Sequence, residues 1–230
     1  ASCKSMSPVT VPPSIANLPA RTAELGGLLE RWARINSGSG HGAGLARMAA
    51  ELRATFSAAF PAAQSEELAA DAPGHNPPGV QALRFRLRPA APLRVFLCGH
   101  YDTVYEADDA FQTCRWLDPD TLNGPGTADM KGGLVTLLAA LQAFEQTPHA
   151  ARIGWEILLT PDEETGSHGT RALFEDAARR HHFGFVFEPA RPGGDIIHSR
   201  KGTGGAIVTC HGRAAHAAKT PNDGRSAILG

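Results

Sequence analysis

Apolar positions recur along this chain in two alternating rhythms. Over residues 22–35, Leu25, Leu28, Leu29, Trp32 and Ile35 fall at helical spacing, which predicts an amphipathic helix. After a glycine-rich break from Ser37 to Gly44, the pattern predicts a second helix of about 14 residues ending before Pro61. Residues 71–79 are turn-forming. Residues 82–87 alternate as a half-exposed strand, and 93–98 form a more continuous apolar run, as a buried strand does. The pattern then predicts an apolar helix over 131–144, a strand over 153–159, a helix over 171–180 and a short strand over 183–187. Strands alternating with helices are the signature of an α/β sandwich with a mostly parallel sheet flanked by helices. Near Ser199 the rhythm changes: 204–210 reads as the start of a new β unit, and the last residues as the beginning of a helix. The Pro- and Ser-rich residues 1–20 are expected to be a mobile leader, ahead of one domain over 21–198 and the beginning of another over 199–230.

Composition narrows the function classes. At 230 residues the chain is long enough to bury a real core, and its net charge of -1 makes no case for nucleic acid or an anionic membrane as partner. No apolar stretch approaches the roughly 20 residues needed to span a bilayer. Cys3, Cys98, Cys114 and Cys210 show no Cys-x-x-Cys pairing, which suits free thiols of a reducing compartment; cytoplasm is the expected location.

The chemistry lies where apolar runs end. His100 and Asp102 follow the strand over 93–98, and period-two alternation turns both to one side. The imidazole can ligate a metal through one nitrogen while Asp102 holds the other. Asp129, between a Gly/Pro turn and a helix, is taken alone a helix cap; the functional alternative is a carboxylate whose two oxygens bridge two metals. Glu163 and Glu164 follow the strand over 153–159 and point in different directions. One could bind metal while the other, unligated, accepts a proton; both could equally stabilise the next helix N-terminus. Glu188 ends the run over 183–187, where Pro189 blocks continuation. One imidazole with several carboxylates is the donor set of a hydrolytic zinc site.

The segments His100-Tyr-Asp-Thr-Val-Tyr, Gly124-Pro-Gly-Thr-Ala-Asp-Met-Lys-Gly-Gly, Asp162-Glu-Glu-Thr-Gly-Ser and Phe187-Glu-Pro resemble the motifs of peptidase family M twenty. That family includes glutamate carboxypeptidase, aminoacylase, acetylornithine deacetylase and succinyl-diaminopimelate desuccinylase, and the likeness is nearest the first branch. The resemblance implies a zinc-peptidase-like α/β catalytic domain, here its N-terminal part, followed by the start of an α+β lid or dimerisation domain. It implies two Zn2+ in the complete protein and one in this chain, with Co2+ or Mn2+ fitting similar ligand sets. His100 and Glu188 would hold one metal and Glu164 the other, Asp129 would bridge them, Asp102 would support His100, and Glu163 would be general base. It further implies a cis peptide after Asp129, a homodimer through the lid, and His216 of the lid as oxyanion donor to the other copy's site. The expected activity is hydrolysis of an amide or peptide bond in a small peptide or N-acyl amino acid. The family's final zinc-binding histidine has no counterpart among these residues. The alternative expectation is therefore a truncated, inactive relative that holds one zinc or a partner chain.

Overall fold

The computed structural model describes residues 11–191, 193–202 and 204–228. The chain divides into two compact units, Ala1–Pro189 and Ala190–Gly230. This division falls upstream of the 198/199 boundary expected from the sequence.

Within the stretch expected to be a leader, α1 (Pro13–Ala16) and a 3-10 turn (Leu18–Arg21) form, each with proline in its first turn, where no amide donor is needed. Residues 1–10 of that expectation lie outside the described residues. Helix α2 (Thr22–Ala33) buries Leu28, Trp32 and Ala33. Helix α3 (Gly42–Ala59) is longer than the pattern suggested because it begins inside the glycine-rich break; Leu45, Met48, Leu52 and Phe56 make its buried stripe. Helices α4 (Gly132–Glu145) and α5 (Arg171–Arg180) occupy the expected positions.

Strands β1 (Gln64–Ala69), β2 (Gln81–Leu87), β3 (Leu93–His100), β6 (Ile153–Thr160) and β7 (Phe183–Val186) form one sheet in the order β1-β2-β6-β3-β7. β2 is antiparallel to both its neighbours, and β6, β3 and β7 are mutually parallel, so four strands run one way and β2 alone opposes them. Flanked by β1 and β6, β2 buries Ala82, Leu83 and Phe85, more than a half-exposed strand would. A separate hairpin joins β4 (Arg115–Asp118) to β5 (Thr121–Asn123).

Helices cover both faces of the sheet. On one, Phe56 of α3 stacks on Phe85 and Phe60 meets Trp155 edge-on. On the other, Phe174 of α5 meets Phe96 edge-on. Each fully buried Leu or Phe of this core contributes roughly 1.5–3 kcal/mol. Helix α4 comes close enough to the end of β7 that a Cβ at Gly133 would lie 1.8 Å from the Phe187 carbonyl oxygen, so only glycine fits there. β7 is a sheet edge, and Phe183, Phe185 and Val186 on it are exposed.

The second unit contains a 3-10 turn, Pro221–Asp223, and an antiparallel bridge between Arg213 and Arg225. The β unit expected over 204–210 forms no strand: Ile207 and Val208 are exposed, and among the described residues nothing pairs with this segment. The helix expected at the very end falls partly on residues 229–230, outside the described residues.

Candidate metal centre

His100 is the last residue of β3 and is fully buried. Its Nδ1 lies 3.0 Å from the Asp102 backbone oxygen and 3.3 Å from Asp102 Oδ1. Its Nε2 faces Asp129 Oδ1 at 3.0 Å, Glu188 Oε1 at 3.5 Å and Glu163 Oε2 at 3.9 Å. Burial disfavours the charged imidazole, but Asp102 and Glu188 outweigh it and push His100 up to about 11. A cation taking Nε2 must displace that proton, while Nδ1 stays held by Asp102.

Each carboxylate arrives on its own element. Asp129 sits in a turn, Thr127–Lys131, that follows Gly126 in the left-handed region (φ 69°), where glycine is favoured. The Asp129–Met130 peptide is cis, as the resemblance implied. The turn is anchored from below: the buried Lys131 Nζ donates to Ile35 O at 2.8 Å and Trp32 O at 3.2 Å, at the end of α2. An ammonium suits the carbonyl end of a helix, although burial pushes Lys131 down to about 8.

Glu163 and Glu164 open the loop after β6. Their backbone N–H groups donate to Asp102 Oδ1 at 3.2 Å and Oδ2 at 3.1 Å. The preceding Asp162 is buried and pins the same loop, accepting from Thr170 Oγ1 at 2.6 Å, Gly169 N at 2.7 Å and Asn76 Nδ2 at 3.1 Å. Glu188 follows β7, whose alignment with β3 is extended by Phe187 N donating to Cys98 O at 3.1 Å.

Burial raises the Glu163 carboxyl above its ordinary range, and Glu188, Asp102 and Asp129 add to the shift against the opposing pull of His100. Glu164 is raised by burial and then by Asp129. Glu188 is lowered, chiefly by its hydrogen bond with His100. Among the described residues, no Lys or Arg lies within ion-pair distance of Asp102, Asp129, Glu163, Glu164 or Glu188. Two overlapping triads, His100–Glu163–Glu188 and His100–Asp129–Glu164, each place their donor atoms within 4.8 Å of one another. Nitrogen and carboxylate oxygen donors with uncompensated negative charge fit divalent cations such as zinc.

The fold thus gathers His100, Asp102, Asp129, Glu163, Glu164 and Glu188. His216 belongs to the second unit, where its Nδ1 accepts from the Ala218 and Lys219 amides at 3.2 Å each. Sequence reasoning missed Ser39, whose hydroxyl donates to Asp102 Oδ2 at 2.9 Å, and the anchors Asn76 and Lys131. Lys131 had one visible signal, a charged residue inside an otherwise apolar helix start. Of the remaining histidines, His41 Nδ1 pairs with Asn36 Oδ1 at 2.8 Å, and His75 stacks on His168.

The profile of the family described as "Peptidase family M20/M25/M40" matches residues 96–220. Carboxypeptidase G2 of Pseudomonas sp. (strain RS-16) is 30% identical over 138 residues, covering 59% of this chain and 33% of the relative. Succinyl-diaminopimelate desuccinylase of Gluconobacter oxydans (strain 621H) is 37% identical over 132 residues, covering 52% of this chain and 34% of the relative. The matched segments therefore span about a third of those relatives' length. In fold, the chain is similar to human carnosine dipeptidase 1, with a TM-score of 0.61 at 20% identity over 75% of this chain and 40% of that one.

Proposed function

The chain belongs to peptidase family M20/M25/M40, and from that footing we propose that the His100 cluster is the metal centre of a hydrolase. Its reaction is cleavage of an amide or peptide bond in a small peptide or N-acyl amino acid. The observation that carries this reading is the charge imbalance: five carboxylates converge on one buried imidazole, and among the described residues no lysine or arginine answers them. Leaving that charge uncompensated in a half-buried site is costly, and a pair of divalent cations removes the cost.

His100 and Glu188 would hold one cation, Glu164 the other, and Asp129 would bridge them. The geometric grouping also brings Glu163 to His100 and Glu188. We nevertheless keep Glu163 unligated, because a general base must have a free oxygen for the proton. Glu163 is about half exposed, which leaves it open to a reacting water. When bound, the cations polarise the substrate carbonyl and lower the pKa of water. Glu163 takes the proton of the attacking water and returns it to the leaving amine. Asp102 keeps the imidazole oriented and fixes the backbone of the Glu163–Glu164 pair. His216 of a second copy is the proposed donor to the developing oxyanion, a role supported by the resemblance of its Ala-Ala-His-Ala setting. The likeness to a carboxypeptidase favours a free C-terminal residue, of glutamate type, on the substrate.

The test is hydrolysis of N-acyl amino acids, folate-like glutamyl amides and dipeptides by the zinc-loaded protein, beside Glu163→Gln. Turnover is expected to fall by about 10²–10⁴-fold in the variant with its zinc content unchanged. Zinc bound by the parent without any turnover would remove the enzymatic reading and leave a metal-binding protein.

A further inference from the structure

We propose that Ser39 is a positioning residue for the metal centre, acting through Asp102; the proposal rests on reading the cluster as a metal centre. Ser39 is buried, and its hydroxyl lies 2.9 Å from Asp102 Oδ2 and 3.3 Å from Thr103 O. The single hydroxyl proton goes to the nearer, charged acceptor, where the bond is stronger.

The hydroxyl is not needed to hold its own segment in place. Residues 37–39 run beside 101–103: Ser37 Oγ donates to Tyr101 O at 2.6 Å, Thr103 N to Ser37 O at 2.9 Å and Ser39 N to Thr103 O at 3.1 Å. Gly38 and Thr103 form a parallel bridge in the same strap. These bonds survive removal of the Ser39 hydroxyl, which leaves that group to act on the carboxylate.

Asp102 is where the halves of the centre meet. Its Oδ1 faces the His100 imidazole and accepts from Glu163 N, while its Oδ2 accepts from Glu164 N and Ser39 Oγ. The terminal torsion of an aspartate is broad, so the donors around it set the plane of the carboxylate. Turning that plane would disturb the imidazole and the Glu163–Glu164 backbone together. A hydroxyl supplies the fixing bond without a positive charge, which a lysine or arginine would bring into competition with the cation. Partners that orient metal ligands in this way are typically worth 10–100-fold in metal affinity.

The experiment measures zinc affinity of the full chain by competition with a chromophoric chelator, together with thermal unfolding in excess EDTA. The variants are Ser39→Ala and the isosteric pair Ser39→Thr and Ser39→Val. Ala and Val are expected to bind zinc up to about tenfold more weakly, the low end of that range because Ser39 acts through Asp102 and not on a ligand itself. Thr, which keeps the hydroxyl, stays close to the parent, and the amide hydrogens of Glu163 and Glu164 exchange faster in Ala and Val alone. A merely structural role would lower the unfolding temperature in EDTA and leave the zinc affinity of the folded protein unchanged, and that result overturns the proposal. If Ala does not fold, Thr and Val decide, since equal zinc affinities in the pair are equally fatal to it. A parent that binds no zinc removes the metal-centre reading and this proposal with it. A zinc-binding parent matched by Val removes only the role of Ser39.

Discussion

Glu156 and His100 are buried to the same degree on adjacent strands of one sheet, 1% exposed each, yet their surroundings differ in balance and closure. Glu156 receives both terminal nitrogens of Arg180 at 2.8 and 3.2 Å, and Arg84 Nε lies 3.3 Å away. Those arginines in turn meet Asp176 and Glu66, so acid and base alternate through the cluster. Around His100 the acids have, among the described residues, only one imidazole between them. Burial of charge alone therefore does not mark a functional site. Glu156 sits in a closed structural network, whereas the acids around His100 leave an imbalance that the proposed cations would complete.

The largest break in that comparison is Glu156→Ala, which strands Arg84, 11% exposed, without its buried partner. A loss of about 3 kcal/mol is expected in urea unfolding, the low end for a broken buried pair because Arg180 is a third exposed and rehydrates. Zinc stoichiometry should not change; a lost zinc would show that the two clusters are not independent.

The proposed centre is expected to respond to metal. Free zinc at 100 times its dissociation constant is expected to stabilise the parent by about 2.7 kcal/mol, and His100→Ala to show no such shift. Parallel thermal scans decide it, and a shift retained in His100→Ala would place the cation elsewhere.

The smallest effect concerns Lys131, the buried anchor of the Asp129 turn. Lys131 titrates at about 8 in the fold against an ordinary 10.5, so the folded state disfavours its charged form. The unfolded chain binds more protons between those values, and stability rises with pH across the window; the gain is lost as pH falls through 8. From pH 8 to 9 the parent should gain about 1 kcal/mol more than Lys131→Met; Cys98, pushed up to about 12 by burial, begins to act in the opposite sense in this window, but both proteins carry it and it cancels in the difference. Identical slopes in the two proteins would show that Lys131 is hydrated.

Strands β3 and β6 and helix α5 were legible because their apolar periodicity is local and strong. β1, with the sequence Gln-Ser-Glu-Glu-Leu-Ala, was not. It is an edge strand whose charges are answered across space by Arg53, Arg84 and Arg86, and nothing in its own residues announces pairing. The segment over 204–210 shows the reverse case, β composition without a strand beside it among the described residues.

Sequence by itself determined the alternation of strands and helices and the donors that end the apolar runs, because hydrophobic period and residue chemistry are carried by neighbouring residues. Tertiary structure alone decided which donors are balanced and which are not. Asp102 meets Ser39 across 63 positions and the Glu163 amide across 61, and Glu156 meets Arg180 across 24. Those meetings depend on how strands are ordered in the sheet and where loops cross its end, and charge compensation exists only once they have been made.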